Sequence, residues 1–142
     1  MSSLEIDPTY PLITVVAAVI EREGRLLLGQ RPPGKRHGGL WEFPGGKLLS
    51  GETVAEAIRR ELREELDLEL DRVGPVIFRA QDPGAVFDVW FVEVAARGAP
   101  RALEHTTLEW CNYRRLLEYD LAPADRRFAV EGMAAWGRRA IT

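Results

Sequence analysis

Three glutamates at helical spacing, Glu61, Glu64 and Glu65, are the residues of this chain best suited to do chemistry together. If the segment around them is helical, 100° per residue places the three carboxylates inside an arc of roughly 100°. Like charges at i,i+4 destabilise a helix by about 0.2–0.5 kcal/mol, so Glu61 and Glu65 repel each other unless a partner intervenes. A divalent cation would turn that repulsion into ligation. The pattern therefore predicts a cation site.

The ligand type indicates which cation and which reaction to expect. Carboxylate oxygens without cysteine or histidine partners suit Mg²⁺, or Mn²⁺ as a substitute, rather than zinc. Mg²⁺ usually keeps several waters and takes substrate phosphates as further ligands. The glutamates therefore predict phosphate chemistry on a small molecule. The competing interpretation is a solvated helix face with ion pairs, which fits the favourable i,i+4 order of Glu56 and Arg60.

The helix that must carry these glutamates has recognisable ends. Thr53 is a candidate N-cap with Glu56 three residues later, which together make a capping box, and Asp67 is a candidate end. The predicted apolar positions are Ala55, Ile58, Leu62 and Leu66, and the predicted solvent positions are Glu56, Arg60 and Arg63. The glutamates of the cation site then lie between these two faces, at the edge of the core.

Apolar and β-branched runs predict a sheet around this helix. Predicted strands cover residues 13–20, 25–31, 73–81, 85–94 and 107–111, and a short strand at 41–46 ends in a Pro-Gly-Gly turn. A further helix is predicted from Pro123, near its first turn, to Ile141. The order of these elements predicts an α/β fold with a mixed β-sheet, built as one domain of residues 1–142.

Composition and charge exclude several other classes of protein. The net charge of −3 gives no basic surface for polymeric nucleic acid. Cys111 is the single cysteine, so no intramolecular disulfide can form and a cytoplasmic location is expected. The apolar run at residues 12–20 is too short to span a bilayer and no targeting segment is recognised, so no membrane partner is expected.

The spacing of the three glutamates and of the residues before them resembles the signature of the Nudix hydrolase family, G-x5-E-x7-R-E-U-x-E-E-x-G-U. This signature is called the Nudix box below. The matching residues are Gly46, Glu52, Arg60, Glu61, Glu64 and Glu65. Asp67 stands where the signature has a glycine that would cap the helix; because Asp tolerates the left-handed conformation, the expected stability loss is small. Segments 40–47 (LWEFPGGK) and 121–125 (LAPAD) resemble the MutT-like branch. The implied fold is the Nudix α/β/α sandwich, with its core over about residues 12–136.

The resemblance implies a role for each matching position. Glu61, Glu64 and Glu65 would bind Mg²⁺, joined by the backbone carbonyl of Gly45, which the Gly-Gly turn would expose. Glu52 and Arg60 would pair and orient Glu61.

A loop carboxylate is also implied. Glu104 lies where the MutT-like branch supplies a further metal ligand or general base, and either Glu104 or Glu61 could act as that base. The alternative for Glu104 is a solvated loop acid, and His105 beside it is expected to be an ordinary loop histidine.

Four residues are candidates for holding the substrate. Arg31 and Lys47 are candidate contacts to the base edge and the phosphates respectively. Phe43 is expected to pack in the core, together with Trp41, with one ring able to flank the base. The specificity candidate is Asp125, where the purine-specific prototype of the branch has asparagine and its cytidine-nucleotide relatives have aspartate.

The chemistry of a carboxylate limits what Asp125 can read. An ionised Asp only accepts hydrogen bonds, which favours the cytosine amino group but is also satisfied by guanine N1–H and N2–H₂. The alternative is a first-turn aspartate stabilised by the helix dipole.

The implied activity is Mg²⁺-dependent hydrolysis of NTP or dNTP to NMP and pyrophosphate, which would clear oxidised or otherwise modified nucleotides. One alternative is a hydrolase of another nucleoside diphosphate linked to X, such as ADP-ribose or a dinucleoside polyphosphate. A non-catalytic Nudix-fold binding module is the other; such modules tend to lose box glutamates, whereas Glu52, Glu61, Glu64 and Glu65 are all present. The preferred base and sugar, the number of metal ions and the choice between monomer and homodimer stay open.

Overall fold

The computed structural model describes residues 12–81 and 86–136. The strands are β1 (Ile13–Arg22), β2 (Arg25–Gln30), β3 (Trp41–Glu42), β4 (Gly45–Lys47), β5 (Glu69–Gln81), β6 (Phe87–Arg97) and β7 (Thr107–Asn112). The helical segments are α1 (Val54–Leu66), a 3₁₀ helix (Tyr113–Glu118), α2 (Pro123–Arg127) and a π-helical turn (Phe128–Gly132). None of the helices in the described ranges has the length and apolarity needed to cross a bilayer.

The strands form one mixed sheet in the order β3-β2-β1-β6-β5, with β4 pairing β1 and β7 pairing β2. The pair β1–β6 is parallel, from Ile13 opposite Phe87 to Ile20 opposite Val94. The other strand pairs within the described ranges are antiparallel. The predicted α/β fold with a mixed sheet is therefore confirmed.

The sheet separates two cores because successive side chains of a strand point to opposite faces. In the centre of β1, the even-numbered positions 16, 18 and 20 pack in the α1 core and the odd-numbered positions 15, 17 and 19 pack in the core of the C-terminal helical segment. The α1 core includes Val16, Ala18, Ile20, Ile58, Leu62 and Leu66. The C-terminal core includes Ala17, Val19, Phe43, Phe91, Phe128 and Trp136. A helical layer on each face of the sheet gives the predicted α/β/α sandwich.

Helix α1 begins and ends where the sequence predicts. The Thr53 hydroxyl accepts from the Glu56 N–H at 3.1 Å, and the Glu56 carboxylate accepts from the Thr53 N–H at 2.9 Å, which completes the capping box. Asp67 is left-handed, with φ 55° and ψ 38°, and ends the helix. Ala57 is fully buried whereas Ala55 is only half-buried, so the packed face is turned towards the glutamates.

The prediction that Pro-Gly-Gly forms a turn is wrong. Gly45 and Gly46 lie in β4, opposite Ala17 and Val16 of β1, and neither has a positive φ. Glycine is required there for close approach: a Cβ on Gly45 would lie 1.9 Å from the Val16 carbonyl oxygen, and one on Gly46 would lie 2.4 Å from Glu61 Oε1. Gly45 therefore lets β4 approach the backbone of β1, and Gly46 lets the Glu61 carboxylate of α1 rest directly against the sheet.

The C-terminal helix is confirmed as far as it is described. Pro123 occupies its first turn, and helical backbone continues through the π-helical turn to residue 136. The remainder of the predicted helix, residues 137–141, lies outside the described residues.

Candidate active site

Arg60 ties the start of the box to the helix that follows it. Its Nε and Nη2 donate to the two oxygens of Glu52, at 2.8 and 2.9 Å, and its Nη1 donates to Glu61 Oε1 at 2.6 Å. The guanidinium holds the pKa of Glu52 at about 2, and Glu52 in turn raises the pKa of Arg60. The predicted Glu52–Arg60 pair is present. Arg60 is half-buried by it, so the prediction that this side chain faces solvent is wrong.

The three box glutamates are not equivalent. The side chains of Glu61 and Glu65 are 13% and 5% exposed, whereas that of Glu64 is 52% exposed and lies 3.5 Å from Arg60. The structure therefore brings Glu61 and Glu65 together below the surface and leaves Glu64 at the solvent edge.

Glu65 has the surroundings of an acid that lacks a counter-charge. Burial raises its pKa far above the ordinary range, and its hydrogen bond with Glu61 and the nearby charges of Glu42 and Glu104 raise it further. Its Oε2 is buried and has no hydrogen-bond partner among the described residues. Clustered carboxylate oxygens with one buried oxygen unsatisfied are the donor set that a hard divalent cation requires. The residues present thus fit a divalent metal.

A second cluster adjoins this one and includes residues that the sequence did not single out. His105 Nε2 lies 2.9 Å from Glu42 Oε2 and 3.7 Å from Glu65 Oε1, and ligand atoms of the three residues lie within 4.8 Å of one another. The expectation that His105 is an ordinary loop histidine is wrong, because its side chain is only 3% exposed. Glu104, its neighbour, is exposed.

A cavity of about 230 Å³ opens beside these carboxylates. It is lined by the four predicted substrate residues, Arg31, Phe43, Lys47 and Asp125, and by Glu42, Gly45 and Gly46. The glycine strand therefore forms a wall of the cavity on one side and contacts Glu61 on the other. Arg36 and Phe87 also line the cavity and were not predicted; the Arg36 Cζ and Lys47 Nζ atoms lie 5.4 and 5.8 Å from the centre of the Phe87 ring.

Asp125 reaches the cavity from the C-terminal helix. It is buried, and its Oδ1 accepts from the Phe43 N–H at 2.8 Å. This hydrogen bond fixes the carboxylate relative to the segment that joins β3 to β4. The Phe43 ring packs edge-on against Phe91 and Phe128, as expected of a core residue. Arg31 donates from Nη1 to Glu42 Oε1 at 3.0 Å, so this predicted substrate residue is also part of the Glu42 cluster.

Comparison with known proteins agrees with this geometry. Residues 11–131 match the NUDIX domain family. The chain is 44% identical over 118 residues to CTP pyrophosphohydrolase of Escherichia coli K12, covering 80% of this chain and 86% of that protein. It is 40% identical over 123 residues to putative 8-oxo-dGTP diphosphatase 2 of Mycobacterium tuberculosis H37Rv, covering 82% and 85%.

Solved structures give the same result. The solution structure of the E. coli ORF135 protein superposes with a TM-score of 0.80 at 38% identity, covering 97% of this chain and all of that one (100%). A MutT structure from a study of the Aliivibrio salmonicida and Vibrio cholerae proteins gives a TM-score of 0.73 at 27% identity, covering 87% of this chain and 98% of that one. Family match, sequence identity and superposition together show that the chain belongs to the Nudix hydrolase family, in its MutT-like branch.

Proposed function

We propose that this protein is a Mg²⁺-dependent nucleoside triphosphate pyrophosphohydrolase that converts (d)NTP and water to (d)NMP and pyrophosphate, and so clears oxidised or modified nucleotides. The main support for the proposal is that the cavity and the Glu61 carboxylate lie on either side of β4. Gly46 faces the cavity on one side and Glu61 on the other, so a base held in the cavity would place its phosphates beside the carboxylates. The names of the two similar proteins, a CTP pyrophosphohydrolase and an 8-oxo-dGTP diphosphatase, support the same reaction.

The metal would be held by Glu61, Glu64 and Glu65 with the carbonyl of Gly45. When bound, the ion neutralises phosphate charge and acidifies a ligated water. Arg60 keeps Glu61 in place by a direct hydrogen bond and is itself fixed by Glu52.

We assign the general base to a carboxylate at this site. Glu61 is one candidate, and the exposed Glu104, whose charge acts on Glu65, is the other. A Mg²⁺ titration of Glu104→Gln separates the two roles for Glu104.

We propose that Asp125 selects the nucleobase of the substrate. Its carboxylate lines the cavity and is held by the Phe43 N–H, and a carboxylate can only accept hydrogen bonds from a base. Cytosine offers an amino group, and 8-oxoguanine keeps the N1–H and N2–H₂ donors of guanine. Both nucleotides in the names of the similar proteins therefore present a donor edge that an aspartate would bind.

A substrate panel on the wild type and on Asp125→Asn tests the proposal. The panel measures kcat/KM with Mg²⁺ at alkaline pH for CTP, UTP, dCTP, 5-substituted dCTP, dGTP and 8-oxo-dGTP. The Asn oxygen can still accept the Phe43 N–H, so the fold is retained, while its amide offers a donor to the base. We expect the preference for CTP over UTP to fall by about tenfold to hundredfold, the value of one good base contact of about 1–3 kcal/mol.

The products decide between outcomes. Release of no pyrophosphate from any nucleoside triphosphate would reject the proposed reaction. Formation of AMP and a sugar phosphate from ADP-ribose, at a higher kcat/KM than any triphosphate, would assign the protein to nucleoside diphosphate-X hydrolysis instead. An unchanged CTP-to-UTP ratio in Asp125→Asn would remove Asp125 from base selection and leave the reaction itself standing.

A further inference from the structure

We infer that His105 is a positioning residue of this site: it holds the Glu42 carboxylate at the wall of the cavity and separates it from Glu65. The kinetic consequence rests on the proposed function, whereas the structural consequence can be read without turnover.

Glu42 is held by both of its oxygens. Oε2 lies 2.9 Å from His105 Nε2, and Oε1 accepts from Arg31 Nη1 at 3.0 Å. Because the imidazole is buried, its contact with Glu42 is shielded from solvent, unlike an exposed ion pair. A carboxylate fixed at both oxygens keeps one orientation, and Glu42 lines the cavity in that orientation.

The hydrogen-bond partners of the two His105 ring nitrogens indicate which nitrogen carries the proton. An ionised Glu42 offers only acceptors, so Nε2 must be the donor. Nδ1 is buried and has no partner within the described part of the chain. A buried N–H without a partner is rarer and more costly than a buried acceptor without one, so Nδ1 carries no proton. The neutral ring with its proton on Nε2 satisfies both conditions.

The sheet is built to admit this ring. Gly29 of β2 lies opposite Glu42 of β3 and opposite Leu108 of β7. A Cβ on Gly29 would lie 2.5 Å from the Cδ2 atom of the His105 ring, closer than carbon atoms can approach. Any side chain at position 29 would therefore push the ring away, which is an observation independent of the hydrogen bond to Glu42.

The position of the ring also explains how two carboxylates coexist at the site. Glu42 and Glu65 repel each other, and the charge of Glu42 contributes to the raised pKa of Glu65. The Nε2–H group lies between them, within 3.7 Å of Glu65 Oε1 and in hydrogen-bond contact with Glu42. Without that donor, Glu42 would keep the Arg31 hydrogen bond at one oxygen and would be free to turn at the cavity wall.

A double-mutant cycle tests whether His105 acts through Glu42. His105→Leu removes the donor at similar volume, and His105→Gln keeps an amide N–H near the position of Nε2. We expect His105→Leu to lower kcat/KM by about tenfold to hundredfold, the usual loss for a residue that orients a ligand or catalytic group. His105→Gln should recover most of this loss. In a Glu42→Leu background, His105→Leu should have little further effect, because interacting residues are not additive.

The opposite pattern would overturn the inference. An equal loss in both backgrounds, or a loss in His105→Leu that His105→Gln does not recover, would show that the ring has only a packing role. Thermal melting of each variant separates loss of fold from loss of position.

Nitrogen NMR provides a readout that needs no activity. The chain has two histidines, so a long-range ¹H–¹⁵N spectrum resolves His105 once His37 is assigned by substitution. We expect a protonated Nε2 and an unprotonated Nδ1, with shifts that change in Glu42→Leu and in Gly29→Ala. A proton on Nδ1, or shifts unaffected by Glu42→Leu, would overturn the inference even if the enzyme turns over. A wild type that hydrolyses no nucleotide would count against the proposed function alone, and the spectrum would still decide the position of His105.

Discussion

Glu65 is a carboxyl group in surroundings that oppose its charge. It is buried, it lies next to the Glu61 carboxylate, and one of its oxygens has no partner among the described residues. Such a group favours the folded protein only while it is protonated or bound to a cation. The same residue that suits metal binding therefore lowers the stability of the metal-free protein.

Because of Glu65, the free energy of unfolding of the metal-free protein should fall as the pH rises. The folded-state pKa of Glu65 is raised above the ordinary glutamate value of 4.5, so the folded protein binds this proton more tightly than the unfolded chain. The stabilisation is complete below about pH 4.5 and is lost as pH rises towards the folded pKa. We expect the free energy of unfolding in EDTA to fall from pH 5 to pH 9 in the wild type, and to fall less in Glu65→Gln. At pH 8 the variant should be more stable by on the order of 1–3 kcal/mol.

Glu64→Gln provides the matched control, because Glu64 is exposed and should change the pH profile little. Chemical denaturation at each pH measures the difference. Parallel profiles for the wild type and Glu65→Gln would contradict the prediction.

Residues close in the chain could be predicted, and residues brought together by the sheet could not. Arg60 and Glu52 are eight residues apart, and one helical segment with its preceding loop is enough to pair them. His105 and Glu42 are 63 residues apart, and their contact depends on β2 lying between β3 and β7. The sequence therefore indicated the carboxylate at Glu104 and missed the buried ring beside it, because nothing local shows which of two neighbouring loop residues points inward.

At the scale of single elements, α1 shows how far local rules reach. Its capping box and its left-handed end are set by residues within one turn of each terminus, and both are present as predicted. The glycines of β4 are different: whether Gly45 and Gly46 make a turn or a strand depends on pairing with β1, which the local sequence does not specify.

Substitutions at the end of α1 should change the stability of the protein and leave its turnover unchanged. Asp67 has φ 55°, and its side chain lies 3.5 Å from Arg101 in an exposed ion pair worth about 0–1 kcal/mol. Asp67→Gly and Asp67→Ala both remove that ion pair, but only glycine adopts the left-handed conformation without strain. We expect Asp67→Gly to be more stable than Asp67→Ala by about 1–2 kcal/mol in denaturant unfolding. Equal stabilities would contradict the assigned cap, and kcat should be similar in both variants.

At the scale of the whole molecule, metal binding should be coupled to folding, because the proposed ligands on α1 meet the carbonyl of Gly45 only when α1 packs on the sheet. Mg²⁺ at about 100 times its Kd should raise the free energy of unfolding by about 2.7 kcal/mol. The shift in melting temperature should be large in the wild type and nearly absent in Glu65→Gln. An equal shift in both would show that the ion binds elsewhere.

The same titration separates the two roles proposed for Glu104. If Glu104→Gln keeps the Mg²⁺ shift and loses turnover, Glu104 is the general base. If it loses both, Glu104 is a metal ligand. If it keeps both, Glu104 has neither role.

The alternation of β1 between two cores bears on how such an enzyme can diversify. Val15 and Ala17 face the core that encloses the cavity, whereas Ala18 and Ile20 face the core that holds α1. Substitutions at the first pair should reshape the cavity proposed for the nucleobase, and substitutions at the second pair should shift α1, which carries the glutamates. Related enzymes could thus change their preferred nucleotide by substitutions at alternate residues of one strand. The glutamates proposed to act on the phosphoanhydride would stay unchanged.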